Sequence, residues 1–540
     1  MASSCRTSSG KLVDLITIHR PFSNFDFIDQ QFDGLPSLRR IMSQVRQNQG
    51  ETMVIEELDL HDARDLCEEN EDIRRRYGAL SSSSAYRLTF FSKPIQERRH
   101  IDGLENADFV GYAVVKRDDV ASGRRIKTRI YESVVRPSRH VNNYIRRAQE
   151  WKCSPLGTEF SVQGYIYAQQ NAMTNVCAHA ALRATAASFH QQGDMSYREM
   201  NDLLGIDHVS RKVGGPDGGG LTQYEMAEVL RAAGAKCILI DYTDADDADT
   251  SPPFQKWLYG SIESGFPAIV CFAALSPGGE RSYHAIPLFG HTFNEDAWVA
   301  NADRIYFRPG NRSEFIPSES WLSAYIGHDD NCGSNFCIPR NYLYTRQPCR
   351  QLPGGPGLCP EETECVAYVL PTLPANVQVD AIEAEAIAAD YLGPTLDQLP
   401  SYSDVWQDRL RLYKGQSQLI LRPLLLDITE YAGHISRISD WDGRQIRRDL
   451  VEILREMPGE RIWMIELSIP ELFSANRRKV AEIVIRADKV PNHPRDIECF
   501  VLARLPGCFA IPVAGDASEF RLQFVPSGTS GHVEHYGCEE

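Results

Sequence analysis

From Val176 to Phe189 the chain reads VCAHAALRATAASF, and this alanine-rich stretch constrains the fold more than any other. Ala178, Ala181, Leu182, Thr185 and Phe189 recur at i, i+3, i+4, i+7 and i+11, which is one packed face of a helix. Ala180, Ala184, Ala186 and Ala187 are small on the remaining sides, so a sheet or a second helix can approach closely. The pattern predicts a central, largely buried helix starting at about Val176, with Thr174 or Asn175 as its cap. Cys177 then falls in its first turn.

That position gives the thiol chemical options. A free thiol titrates near about 8.5, and the thiolate is the nucleophile. The positive end of the helix dipole and a nearby imidazolium both favour the thiolate. The polar text before it, AQQNAMTN, supplies amides that can face a developing oxyanion. The competing reading is a buried core thiol, the usual fate of a cysteine on an apolar helix. His179 is the wrong partner, because residues two apart on a helix point about 200° away from each other.

A base must come from elsewhere in the chain. Downstream, SYREMNDLLG and TQYEMAEVLRAAG each open with a capping-box spacing (Ser196 and Glu199, Thr222 and Glu225) and close on glycine. KCILIDY and FPAIVCFAA read as strands, with the helix PPFQKWLYGSIESG between them. A hairpin follows, with one strand over 282–292, a turn over 294–297 and a second strand from Trp298. His284 lies at the start of the first strand, and Asn301 and Asp303 lie two apart on the second. A cysteine opening a helix, a histidine on a strand and an Asn or Asp beyond it can perform thiol chemistry. The thiol attacks, the imidazole shuttles the proton, and the third side chain holds the tautomer. The later segment GHDDN offers Asp329 or Asp330 for that third role. His291 is expected near the turn, at the surface. No metal-ligand spacing of the H-E-x-x-H kind supports a metal site at His328, Asp329 and Asp330.

QQNAMTNVCAHAAL, GFPAIVCF and SYHAIPLFGHTFNEDAWVANAD together resemble the papain-like cysteine peptidase superfamily. They are most similar to its compact bacterial branch, which includes the double-glycine leader peptidases of bacteriocin exporters. The resemblance spans roughly residues 160–305, and does not extend to 1–150 or 350–540. It implies an α+β core with Cys177 as nucleophile, His284 as base, Asn301 or Asp303 as orienting residue, and a Gln ahead of the Cys as oxyanion donor. In that branch the Gln sits five or six residues before the Cys; here Asn171 is at six, Gln170 at seven and Gln169 at eight. Gln170 is the expected donor. No metal or organic cofactor is required.

Across the whole chain of 540 residues the expectation is α+β and multidomain. The expected parts are an N-terminal mixed α/β domain over 1–150, the peptidase-like domain over 151–346, a Pro/Gly-rich linker over 347–375, and a C-terminal α+β domain over 376–540. RRKV near Arg477 reads as a basic helix start. The formal charge of −16 argues against a nucleic-acid partner. The longest strongly apolar run, AIVCFAAL, is too short for a membrane span. With no signal-like N-terminus, a cytoplasmic location and reduced thiols are expected for the fourteen cysteines. From Lys116 to Lys152 eleven Lys/Arg stand against four Asp/Glu, either a solvated face or a docking patch for an acidic partner. Two functions follow. One is a thiol hydrolase acting on a peptide or isopeptide bond of a protein substrate, with acyl transfer or deamidation as variants. The other is a non-catalytic scaffold of the same fold, with its flanking regions binding partners.

Overall fold

The computed structural model describes residues 4–18, 28, 30–78, 80–120, 128–137, 143–213, 219–243, 252–275, 281–293, 315–340, 365–397, 404–456, 461–474, 476–493, 495–513 and 521–538. Its mixed α and β elements divide into two compact units. The first comprises Met1–Ala248, Phe266–Gly290 and Tyr325–Thr372; the second comprises Asp249–Gly265, His291–Ala324 and Leu373–Glu540. This division differs from the borders expected near residues 150 and 346. The N-terminal sheet falls in the same unit as the cysteine helix, and one apolar core that includes Val54, Tyr112, Val114, Ala181 and Leu182 runs through both. Of the Pro/Gly-rich linker expected over 347–375, residues 347–364 lie outside the described residues, and Cys365–Pro374 is instead a strand of the second sheet.

In the first unit, β1 (Gly10–Thr17), β2 (Thr52–Leu58), β3 (Leu80–Phe91), β4 (Phe109–Val120) and β5 (Arg129–Val135) form an antiparallel sheet in sequential order. Two helices, α1 (Pro36–Gln47) and α2 (Arg64–Tyr77), intervene in the chain. The short pair β6 (Gln149–Cys153) and β7 (Phe160–Gly164) follows.

The alanine-rich segment forms α3 (Cys177–Ala186), with Val176 as its N-cap. Every residue from Ala178 to Ala186 is buried. That includes Arg183, whose guanidinium donates to Glu132 on β5 (2.5 Å) and to both oxygens of Asp194 (3.0 and 2.7 Å). A cation with no access to water must be matched by such partners, so this pairing binds α3 to the N-terminal sheet. Next come α4 (Tyr197–Leu203), with Ser196 accepting from the Glu199 N–H, and α5 (Gln223–Ala232), with the Thr222–Glu225 capping box formed in both directions.

A second sheet carries β8 (Ala268–Leu275), β9 (Arg281–Phe293), β10 (Leu322–Asp329), β11 (Gly333–Pro339) and β12 (Cys365–Pro374). Its order is Ile240–Asp241, β12, β8, β9, β10, β11. In the antiparallel β8–β9 pair, Phe272 lies opposite His284, and their rings meet edge to face at 5.4 Å. The expected turn and second hairpin strand, with Asn301 and Asp303, lie outside the described residues.

The basic excess over 116–152 is partly internal. Lys116 and Arg129 are buried against Glu69 and Asp118, and Arg136 donates to the carbonyls of Asn106, Ala107 and Phe109. Lys116 and Arg129 are therefore not offered to an acidic partner.

The second unit is built on a seven-stranded sheet in the order Phe315–Pro317, Leu419–Asp427, Arg461–Ser468, Ala481–Arg486, Phe500–Leu505, Cys508–Pro512, Leu522–Pro526. Leu424, Tyr431, Ile435, Met464 and Val484 form its apolar core. Buried charges run through it. Glu466 accepts from Arg422 (2.9 Å), Lys479 (2.9 Å) and the Tyr536 N–H (2.7 Å). Arg478–Lys479 is a short strand paired with Val533–Glu534, not the expected helix start; buried Lys479 is held by Glu466 and Glu482. His291 is likewise fully buried, hydrogen-bonded to Glu263, rather than at the surface as expected. Among the described residues no helix is long and apolar enough to cross a membrane.

Candidate functional site

The turn ahead of α3 is built around one side chain. Asn171 accepts the N–H groups of Met173 (2.8 Å), Thr174 (2.8 Å) and Asn175 (3.1 Å) on its Oδ1. Its own N–H donates to Asn175 Oδ1 at 2.7 Å. Ala172 adopts φ 56°, the left-handed region that such an Asn-centred turn demands of a residue with a Cβ. Asn171 and Asn175 both donate to Glu69 Oε1 on α2 (2.9 and 3.1 Å). Burial pushes the Glu69 carboxyl up, but Arg129 and Lys116 outweigh it and hold it well below the usual carboxylate range. The turn preceding Cys177 therefore rests on a buried anion supplied by the N-terminal region.

Cys177 is half-buried as the first residue of α3. Its backbone N–H is among the first four of the helix, which have no intrahelical acceptor. Its Sγ lies 3.9 Å from the Tyr283 carbonyl, next to His284. His179 takes no part in this arrangement. It is fully buried, accepts the Val176 N–H on Nδ1 (3.3 Å), faces Asn201 Oδ1 through Nε2 (2.9 Å), and is pushed down to about 4 by burial.

His284 Nε2 stands 3.2 Å from Asp329 Oδ1 and 3.5 Å from Asp330 Oδ1. The Asn331 amide lies 3.5 Å away. Burial lowers the pKa of this imidazole, but the hydrogen bond to Asp329, the Cys177 thiol and the charge of Asp330 raise it to about 10. It is thus an imidazolium at neutral pH. Asp329 ends β10, the strand beside β9, and also accepts the N–H groups of Asn331 (2.8 Å) and Cys332 (3.1 Å). Burial opposes its ionisation, yet His284 and these amides hold it below the usual carboxylate range. Asp330 is raised to about 6 by burial and by its neighbour Asp329.

Of the candidates from sequence, Cys177 Sγ lies 3.9 Å from the carbonyl of Tyr283, the residue before His284. The carboxylates beside the imidazole are Asp329 and Asp330, offered by the GHDDN segment. Gln169 is committed to structure. It accepts from Ser37 and from the Ile130 N–H and donates to the Asp330 carbonyl, each at 2.9 Å. Gln170 is half-buried, and no hydrogen bond of its side chain occurs among the described residues. His328 is also structural. It donates from Nε2 to the Tyr165 carbonyl (3.1 Å), accepts the Asn335 N–H on Nδ1 (3.0 Å), and is lowered to about 4 by burial. Glu69 and Arg183 escaped the sequence reading; a lone arginine in an alanine-rich helix was the available signal.

An imidazole held by a carboxylate can move a proton, and a thiol at a helix start can serve as a nucleophile. Comparison with protein-family models, with curated proteins and with solved structures returns no match.

Proposed function

We propose that the chain is a thiol-dependent hydrolase with a papain-like core, cleaving a peptide or isopeptide bond in a protein or peptide substrate. The observation that carries this reading is the 3.2 Å approach of Asp329 to the His284 ring, on a strand whose preceding residue, Tyr283, has its carbonyl 3.9 Å from Cys177 Sγ. Cys177 is the nucleophile, His284 the general base and acid, and Asp329 the orienting carboxylate, a role for which Asn301 and Asp303 were the first candidates. With Nε2 turned to Asp329, Nδ1 is the ring nitrogen left for the thiol.

The thiolate attacks the carbonyl carbon and a C–S bond forms. The Cys177 N–H and the Gln170 amide stabilise the oxyanion. The imidazolium protonates the leaving amine as the C–N bond breaks. His284 then takes a proton from water as water attacks the thioester, and the thiol is released. An amine in place of water gives transfer.

The test is the rate of Cys177 alkylation by iodoacetamide against pH, read by peptide mass mapping, in wild type and His284→Ala. A thiolate present well below pH 7 and lost with His284 supports the hydrolase. Slow alkylation with an ordinary thiol profile, unchanged by His284→Ala, refutes it and leaves the scaffold reading.

A further inference from the structure

We infer that His284, Asp329 and Asp330 form a divalent-cation site, and that a cation bound there silences the Cys177 thiol. The binding half stands on geometry alone; the silencing half rests on the hydrolase reading. One ligand atom from each residue lies within 4.8 Å of the other two. The separations from His284 Nε2, 3.2 and 3.5 Å, lie close to the ligand–ligand edge around a metal with ligands at about 2.1 Å, which is roughly 3.0 Å for an octahedron and roughly 3.4 Å for a tetrahedron. One imidazole and two carboxylates suit a first-row divalent cation such as Mn²⁺ or Zn²⁺.

A second observation points to a missing ligand. Asp330 is only 7% exposed, and apart from the His284 ring at 3.5 Å neither of its carboxylate oxygens has a hydrogen-bond partner among the described residues. Buried carboxylates are ordinarily satisfied, and an unsatisfied one costs free energy. The other trio of metal-ligating groups, Cys5, Asp65 and Glu132, is different. Its carboxylates are already met by Ser4 and by Arg183.

The consequence for the thiol follows from the ring. A cation on Nε2 displaces the proton there and leaves the remaining ring proton on Nδ1. The imidazole is then a neutral donor toward Cys177 and cannot accept its proton, so the thiolate loses its counter-ion. Removing the cation restores the imidazolium.

Mn²⁺ is the appropriate probe, because a chain with fourteen cysteines offers Zn²⁺ many soft ligands. Free Mn²⁺ is followed by electron paramagnetic resonance during titration of the full chain, in wild type, Cys177→Ser and Asp330→Asn. The expected result is one saturable Mn²⁺ per chain in wild type and Cys177→Ser. Asp330→Asn should weaken it by at least about tenfold, since even groups that only support a ligand are worth that much. No saturable binding, or equal binding in Asp330→Asn, overturns the site. Cys177 alkylation in the same wild-type samples supplies a reading that needs no variant. Slowing by Mn²⁺ and recovery with chelator support silencing; bound Mn²⁺ with unchanged alkylation overturns it. Because binding is read without substrate, failure of the cation site is distinguishable from failure of the hydrolase reading.

Discussion

Replacing Asp329 by Asn removes a charge while keeping the size of the side chain, and it should lower the pKa of His284 markedly. At 3.2 Å, and with the effective dielectric constant of about 20 that suits such pairs, the Asp329–imidazolium attraction is on the order of 5 kcal/mol. At about 1.4 kcal/mol per pKa unit this caps the effect at between 3 and 4 units, roughly. The elevation, from 6.5 to about 10, is shared with Cys177 and Asp330 and is reached against burial. A drop of about 1 to 3 units is therefore expected. Selective ¹³C labelling of histidine with NMR titration measures it directly, His284 being assigned by its loss in His284→Ala. The sign for stability follows. A folded pKa above the ordinary 6.5 gives stability that is complete below 6.5 and is lost as pH rises through about 10. Wild type should lose stability relative to Asp329→Asn over that window in chemical denaturation. A His284 titrating near 6.5 in wild type, or one unmoved by Asp329→Asn, would refute the reasoning.

Three further outcomes are expected. His179 and His328 are buried and neutral with pKa values near 4, so the unfolded chain takes up protons first as pH falls from 6.5 to 4. Stability should decline across that range by up to about 3 kcal/mol for each, and a flat acid limb in urea melts would contradict this. Glu69→Gln leaves Lys116 and Arg129 short of a buried anion and should cost about 3–5 kcal/mol; a loss below about 1 kcal/mol would show that the turn before Cys177 does not depend on it. Gly327→Ala places a Cβ 2.3 Å from the Pro287 carbonyl, on the strand that ends in Asp329. It should lower the melting temperature and disturb the His284 titration, whereas a variant matching wild type in both would show that β9 and β10 can move apart.

What was legible in the chain was local. The i, i+3, i+4, i+7 recurrence from Ala178 is a property of one helix, and it located α3 and Cys177 without reference to anything else. The Ser196 cap and the Thr222 capping box worked in the same way, because their partners sit three residues apart. The run around His284 likewise read as a strand, and it forms β9. The partners of these groups were not legible. Asp329 lies 45 residues from His284 in sequence, and reaches it only because β10 is hydrogen-bonded beside β9. A run of basic residues from 116 to 152 looks like surface in a linear reading, yet Lys116 and Arg129 are internal because α2 brings Glu69 to them. Side-chain periodicity determines which face of an element is apolar. Strand order and helix packing decide which charges meet across it, and Coulomb attraction falls off with distance in space, not along the chain.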